Sequence, residues 1–67
     1  MEDINKRIRA VRLENGLSQK QVADFVVMSQ SSYSKIEQGS QKLLADDLVK
    51  LSILYNMTLD ELIFGDK

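Results

Sequence analysis

Apolar residues recur at helical spacing along almost the whole chain. They mark five successive segments, and each segment predicts an amphipathic helix with one buried side. The first covers roughly residues 3–14, where Ile4, Ile8 and Val11 form a single stripe before a glycine stop at Gly16. No alternating strand pattern, internal repeat or low-complexity run interrupts this periodicity. The pattern therefore predicts an all-α fold, a compact bundle of five helices.

Two short helices are predicted close together in the middle of the chain. Ser18 precedes an apolar stripe that begins at Val22, and Ser29 precedes a second stripe formed by Tyr33 and Ile36. Serine at such a position caps a helix, because its hydroxyl accepts a hydrogen bond from a free backbone N–H group of the first turn. So few residues separate the two helices that they cannot stack side by side.

The second of these helices presents small and polar side chains on its outer face. A helical wheel that buries its aromatic and its isoleucine leaves these residues outward: Gln30, Ser31, Ser34, Lys35 and Gln38. Such side chains match base edges in the DNA major groove, where glutamine pairs with adenine and lysine with guanine. Periodicity alone, however, favours the simpler interpretation of a solvated helix face.

The fourth predicted helix, roughly residues 45–55, is apolar on nearly all sides. Leu48, Leu51 and Tyr55 mark one side of it, and three further apolar residues lie off that side. Together with Met57 and Phe64, these three residues form a candidate patch near the carboxyl terminus: Val49, Ile53, Leu54, Met57 and Phe64. A core this small has little room for them, so we expect a homodimer built on this patch. The alternative is that they thicken the monomer core.

The amino-acid composition excludes several classes of function. The 67 residues include no cysteine and no histidine, which removes disulfides, thiolate metal sites and the commonest general base. We therefore expect no enzyme activity, no metal, no cofactor and no small-molecule ligand. No stretch reaches the roughly 20 apolar residues that span a bilayer, and the amino-terminal segment lacks the apolar core of a signal peptide. These features predict a cytoplasmic protein without a membrane partner.

The charge is unevenly distributed. The net charge of −1 argues weakly against nucleic acid, since proteins that bind phosphate backbones usually have a basic excess. Residues 1–42, however, hold seven Lys and Arg against five Asp and Glu, whereas residues 43–67 hold two against five. The acidity therefore lies outside the half with the candidate DNA-contacting helix.

Several spaced motifs agree with one known family. They are Leu17-Ser18-Gln19, Ala23, Ser29, Ser34-Lys35-Ile36-Glu37, Gly39 and Thr58-Leu59-Asp60-Glu61-Leu62. Together they resemble the phage repressor and Cro-type (Xre-like) helix-turn-helix family, without gaps from about Ile4 to Ile63. The resemblance implies a lambda-repressor-like bundle of five helices, with residues 1–67 as a single domain that binds double-stranded DNA.

The resemblance also implies roles for individual residues. The third helix would contact bases through Gln30, Ser31, Ser34 and Lys35. The start of the second helix and the turn after the third would contact the DNA backbone through Ser18, Gln19, Lys20, Gln41 and Lys42. Arg12 and Glu37 occupy the positions of a structural salt bridge. Lys6 and Arg9 project from the first helix. We interpret them first as side chains that face solvent and second as charges that attract DNA phosphates.

Two residues depart from the family pattern. Val27 stands in the turn where the family usually has a glycine in a left-handed conformation, so we expect the turn to be reshaped with a negative φ. Phe25 lies off the apolar stripe of its helix, where the family is usually polar. An exposed aromatic there either marks a partner surface or is an ordinary surface residue.

The leading hypothesis is a small transcriptional regulator, a repressor or controller, that binds a near-palindromic operator as a homodimer. The alternative is an antitoxin or protein-interaction module whose main partner is another protein, docked at Phe25 or on the acidic half. Salt-dependent binding to random duplex DNA distinguishes the two.

Overall fold

The computed structural model describes residues 3–65; Met1, Glu2, Asp66 and Lys67 lie outside the described residues. It contains five α-helices, whose bounds are α1 (Ile4–Glu14), α2 (Gln19–Val26), α3 (Gln30–Gln38), α4 (Ala45–Leu54) and α5 (Leu59–Phe64). The predicted all-α bundle of five helices is confirmed, and the bounds predicted for the first and fourth helices, 3–14 and 45–55, each differ from those observed by one residue. No helix within residues 3–65 is both long and apolar enough to cross a membrane.

Side-chain caps begin four of the helices. Asp3, Ser18, Ser29 and Thr58 each accept a hydrogen bond from a backbone N–H group of the first turn of the helix that follows. Thr58 and Glu61 form the predicted capping box, with each side chain bonded to the other residue's backbone. The polar spacing in the sequence thus determines where these helices begin.

A single core joins all five helices. α1 packs against α3 and α5, α2 packs against α3 and α4, and α4 packs against α5. The buried apolar residues are Ile8, Val11, Val22, Ala23, Val26, Tyr33, Ile36, Leu51, Tyr55 and Leu62. The stripes predicted for the first three helices account for most of this set. Burial of these stripes, more than intrinsic helix propensity, stabilises helices this short.

At the carboxyl ends of three helices, backbone carbonyl groups accept hydrogen bonds from side chains on other helices, which close these ends. Arg7 on α1 donates to the carbonyl oxygens of Glu61 and Leu62 at the end of α5, at 2.9 and 3.0 Å. Asn5 on α1 donates to a carbonyl near the end of α3, and Lys50 on α4 donates to the last carbonyl of α2 at 3.4 Å. Positive charge at a helix carboxyl end also interacts favourably with the helix dipole.

The turn between α2 and α3 corrects one expectation. Val27 has φ 62° and ψ 60°, so the prediction that valine would reshape the turn with a negative φ is wrong. The left-handed conformation lets the N–H groups of Val27 and Met28 donate to carbonyls of α2, at 3.3 and 3.0 Å. A β-branched residue in this conformation costs about 1–3 kcal/mol, and these two bonds with the packing of the flanking helices maintain it. The side chain itself is 80% exposed.

Candidate nucleic-acid interface

The outer face of α3 is open to solvent. Tyr33 and Ile36 point into the core, and this orientation leaves Gln30, Ser31 and Lys35 exposed. Ser34 is only half-buried, and its hydroxyl oxygen accepts a hydrogen bond from Gln38 Nε2 at 3.3 Å. Three of the four predicted base-contacting side chains are thus freely accessible. The hydroxyl of the fourth, Ser34, is already hydrogen-bonded to Gln38, one turn further along the helix.

The amino end of α2 lies beside α3. The Ser18 hydroxyl accepts from the Gln21 N–H group at 3.0 Å, so the predicted backbone-contacting serine is already used as the helix cap. Gln19 is half-buried, and its Nε2 donates to Glu37 Oε1 at 3.1 Å. Lys20 is exposed and lies 3.3 Å from the Asp24 carboxylate. The backbone N–H groups in the first turn of α2 are the groups here that suit a phosphate oxygen.

The turn that follows α3 contains the remaining predicted backbone contacts. Gln41 and Lys42 are both exposed there. Gly39, with φ 86°, ends α3 in the left-handed conformation that glycine adopts without strain, as the sequence predicts. The turn therefore leaves α3 abruptly and places the two side chains just past its carboxyl end.

Beneath this surface lies a buried ion pair between α1 and α3. Arg12 Nε and Nη2 donate to the two carboxylate oxygens of Glu37, at 2.7 and 3.0 Å. Burial alone would raise the pKa of Glu37, but hydrogen bonds led by that from Arg12 outweigh it and hold the pKa below its usual range. The hydrogen bond to Glu37 likewise raises the pKa of Arg12. Both side chains are therefore charged throughout the physiological range.

Two tyrosine hydroxyls are buried near this pair. Tyr33 and Tyr55 are 1% and 8% exposed, and neither hydroxyl makes a hydrogen bond of good geometry with a described residue. Burial, reinforced by the negative charge of Glu37, raises the pKa of Tyr55 to about 12 and shifts the pKa of Tyr33 in the same direction. The sequence identifies both residues as core, but the proximity of their hydroxyls to the ion pair depends on tertiary packing.

The candidate dimer patch separates into two groups. Val49, Ile53 and Phe64 are 45%, 66% and 69% exposed. Leu54 and Met57 are only half-exposed and pack against the core, as the alternative of a thicker monomer core expects for them. Apolar surface therefore remains on α4 and α5 after the monomer has folded.

A comparison with known protein families identifies the family of this chain. A family model described as Helix-turn-helix matches residues 8–62. The chain belongs to the helix-turn-helix family. This confirms the family resemblance that the sequence motifs indicate.

One solved structure extends this match to nearly every residue. It is the crystal structure of the P22 c2 repressor protein in complex with synthetic operator 9T in the presence of Tl+. It matches with a TM-score of 0.81 and 26% sequence identity, covering 98% of this chain and 100% of that chain. A comparison with curated proteins gives no match.

Several side chains that connect the helices have no local sequence signal. Asn5 and Arg7 contact carbonyls 31 and 54 or 55 residues away. Gln19 is predicted as a phosphate contact, yet its amide also binds the carboxylate of Glu37 on the adjacent helix. The tertiary fold alone reveals these partnerships.

Proposed function

We propose that this protein is a sequence-specific regulator of transcription that inserts α3 into the major groove of double-stranded DNA. The observation that supports this most directly is the exposed polar face of α3 directly beside the amino end of α2. In a helix-turn-helix motif the first helix crosses the DNA backbone while the second meets the base edges. The match to a repressor structure that contains an operator supports the same assignment.

We assign the contacts by position on the two helices. Gln30, Ser31 and Lys35 contact bases, and Ser34 assists from beside Gln38. The phosphate contacts come from the start of α2 and the turn after α3, through Ser18, Gln19, Lys20, Gln41 and Lys42. The protein acts by occupying its site, as a repressor or controller in the cytoplasm, with no catalysis, cofactor or small-molecule ligand.

We further propose that the protein binds as a homodimer. Val49, Ile53 and Phe64 supply the exposed part of the interface, and Leu54 and Met57 support it from the core side. A two-fold dimer of this kind presents two copies of α3 about 34 Å apart, one turn of the duplex, so its operator is nearly palindromic.

Selection of bound duplexes from a random pool tests this function. The expected result is one recovered motif with two inverted half-sites about one helical turn apart. A motif without symmetry would overturn the dimer. Absence of any salt-sensitive binding to duplex DNA would overturn the function and favour a protein partner instead, with the exposed Phe25 as the first surface to test.

A further inference from the structure

We propose that the junction of Asn15 and Gly16 is a site of spontaneous covalent modification, at which Asn15 converts to isoaspartate and thereby displaces the start of α2. The two residues form the turn that follows α1, and both are exposed to solvent. The reaction itself needs only water. Its effect on DNA binding rests on the proposed function, because α2 and α3 are the helices proposed to contact the duplex.

Asn15 differs from the other two asparagines of the chain in the residue that follows it. Asn5 precedes a lysine and Asn56 precedes a methionine, whereas Asn15 precedes a glycine. A side chain on the following residue shields the backbone nitrogen of that residue, and glycine has no side chain. The Gly16 nitrogen can therefore approach the amide carbon of Asn15. The other two asparagines serve as internal controls.

The reaction passes through a cyclic imide. The Gly16 backbone nitrogen loses its proton to hydroxide and attacks Cγ of Asn15. A new C–N bond forms, and the Cγ–Nδ2 bond breaks as the leaving nitrogen takes a proton from water and departs as ammonia. Water then adds to one of the two ring carbonyls and opens the ring. Attack at Cγ gives aspartate with the normal backbone, whereas attack at the main-chain carbonyl carbon routes the backbone through Cβ and Cγ and gives isoaspartate.

The folded conformation keeps the two reacting groups apart. Asn15 has φ −93° and ψ 2°, and its Nδ2 donates to the Val11 carbonyl at 2.8 Å. The Gly16 N–H group donates to the Leu13 carbonyl at 3.1 Å. Ring closure requires rotation of the Asn15 side chain and of the peptide plane between the two residues, so both hydrogen bonds must break first. The reaction therefore proceeds from an open state of this turn.

This open state requires no global unfolding. Helix ends open at a small fraction of the global free energy of unfolding, and a glycine tolerates the compensating rotation that leaves Leu17 in place. The buried pair of Arg12 and Glu37 holds α1 against α3 while the turn opens. We expect the open state at roughly a tenth to a hundredth of the folded population, the factor for two hydrogen bonds of ordinary strength.

The product disturbs the connection between α1 and α2. Leu17 packs against the core, its N–H group donates to the Arg12 carbonyl at 3.2 Å, and its carbonyl accepts from Arg12 Nη1 at 2.9 Å. Isoaspartate inserts an extra methylene into the backbone just before this residue. It also adds a carboxylate beside Glu14 at the carboxyl end of α1, where the helix dipole disfavours negative charge. The Leu17 contacts and the Ser18 cap cannot all be kept, so the start of α2 shifts relative to α3.

The test follows the reaction in the purified full chain at physiological pH and temperature. Peptide mapping by mass spectrometry, with electron-transfer fragmentation to distinguish isoaspartate from aspartate, measures conversion at each asparagine over time. We expect isoaspartate at Asn15 and none at Asn5 or Asn56. The native rate is expected to lie about tenfold to a hundredfold below the rate in concentrated urea. Asn15→Gln retains the amide but disfavours ring closure, and this matched control is expected to remain unmodified.

Two results would overturn the chemical part of the inference. One is an unmodified Asn15 in the native protein over a period in which the urea-unfolded chain reacts. The other is a native rate that is slowed by the full equilibrium constant of unfolding, because the reaction would then require global unfolding and not the opening of one turn.

The structural consequence is measured on the isoaspartate form after its chromatographic separation. Asn15→Asp has the same added charge with a normal backbone, so it is the matched control. The isoaspartate form is expected to unfold at a lower urea midpoint than Asn15→Asp and to bind duplex DNA more weakly. Equal midpoints, or equal affinities when the wild type binds DNA, would overturn the displacement of α2. A wild-type protein without salt-dependent DNA binding would overturn the proposed function, while the conversion and the urea midpoints would still test this inference.

Discussion

Arg12 and Glu37 form a two-pronged ion pair across the interface of α1 and α3, with side chains only 9% and 2% exposed. Arg12 Nη1 also donates to the Leu17 carbonyl at 2.9 Å, and Gln19 adds a hydrogen bond to the same carboxylate. The pair thereby connects α1, the turn that follows it, α2 and α3. It fixes the amino end of α2 relative to α3.

Loss of one partner of this pair is expected to be more harmful than loss of both. Arg12→Met and Glu37→Leu each leave a buried charge without its counterpart, at a cost of about 3–5 kcal/mol in the free energy of unfolding. The double variant removes both charges and is expected to lose less stability than either single variant. Urea unfolding followed by circular dichroism measures the three values, and additive losses would contradict a coupled pair.

Acid is expected to destabilise the protein through Glu37. Its pKa is lowered in the folded state by the hydrogen bonds from Arg12 and its neighbours, so its contribution to stability is present above the unfolded pKa and is lost as the pH falls through the folded pKa. Glu37→Gln cannot titrate. Urea midpoints from neutral pH to about pH 3 are therefore expected to fall less steeply for this variant than for the wild type. Parallel pH curves would show that other carboxylates account for the acid sensitivity.

Val27→Gly is expected to stabilise the protein. The valine side chain is 80% exposed, so little packing is lost, and glycine relieves the left-handed strain at φ 62°. Relief of about 1–3 kcal/mol exceeds the roughly 0.5–1 kcal/mol that glycine costs through the unfolded chain. A thermal melt is expected to show a rise of several degrees.

Asn56→Gly is the matched control for this substitution. Asn56 is the other non-glycine residue with positive φ within residues 3–65, at φ 55°. Asparagine tolerates that conformation better than valine, so the expected gain is smaller or absent. An equal gain at both positions would show that β-branching at Val27 is not the source of strain.

Lys35→Ala and Lys20→Ala are expected to separate base contacts from phosphate contacts. Loss of Lys35 removes a proposed base contact and is expected to relax preference at one base pair, at a cost of about 1–3 kcal/mol. Loss of Lys20 is expected to weaken binding to all sequences alike and to reduce the salt slope. Competition binding against a set of single-substitution operators distinguishes the two, and identical profiles would refute the assignment.

Ile53→Asp is expected to convert the proposed dimer into a monomer that still folds. Ile53 is 66% exposed, so a carboxylate there does not disturb the core but cannot be buried against a second subunit. Phe25→Asp changes an exposed aromatic outside the patch and is expected to leave the dimer intact. Sedimentation velocity reports both results. A wild-type protein that sediments as a monomer at high concentration would contradict the homodimer.

The sequence predicts those features that depend on local pattern. Apolar stripes locate the five helices, and Ser18, Ser29 and Thr58 identify three helix starts, because a cap interacts with residues only two or three positions away. The conformation of Val27 could not be predicted in this way. Residue preference there favours a negative φ, but closure of α2 and packing of its neighbours impose a positive one.

The candidate site is only partly predictable for the same physical reason. Exposure of Gln30, Ser31 and Lys35 follows from the helical wheel alone. Within the apolar patch, Ile53 is exposed whereas Leu54 packs against the core. This difference depends on the rotation of α4 relative to α2 and α5, and periodicity alone does not determine that rotation.

Two side chains from other helices, Asn5 on α1 and Lys50 on α4, help to close the ends of α3 and α2. The side chains of Gln30, Ser31 and Lys35 make no hydrogen bond that closes those ends within the described residues. In the proposed binding mode, operator preference can therefore drift during evolution by exchange of Gln30, Ser31 or Lys35, without loss of the framework that holds α3 in place. An engineer who wants to retarget the protein to a new sequence has the same freedom.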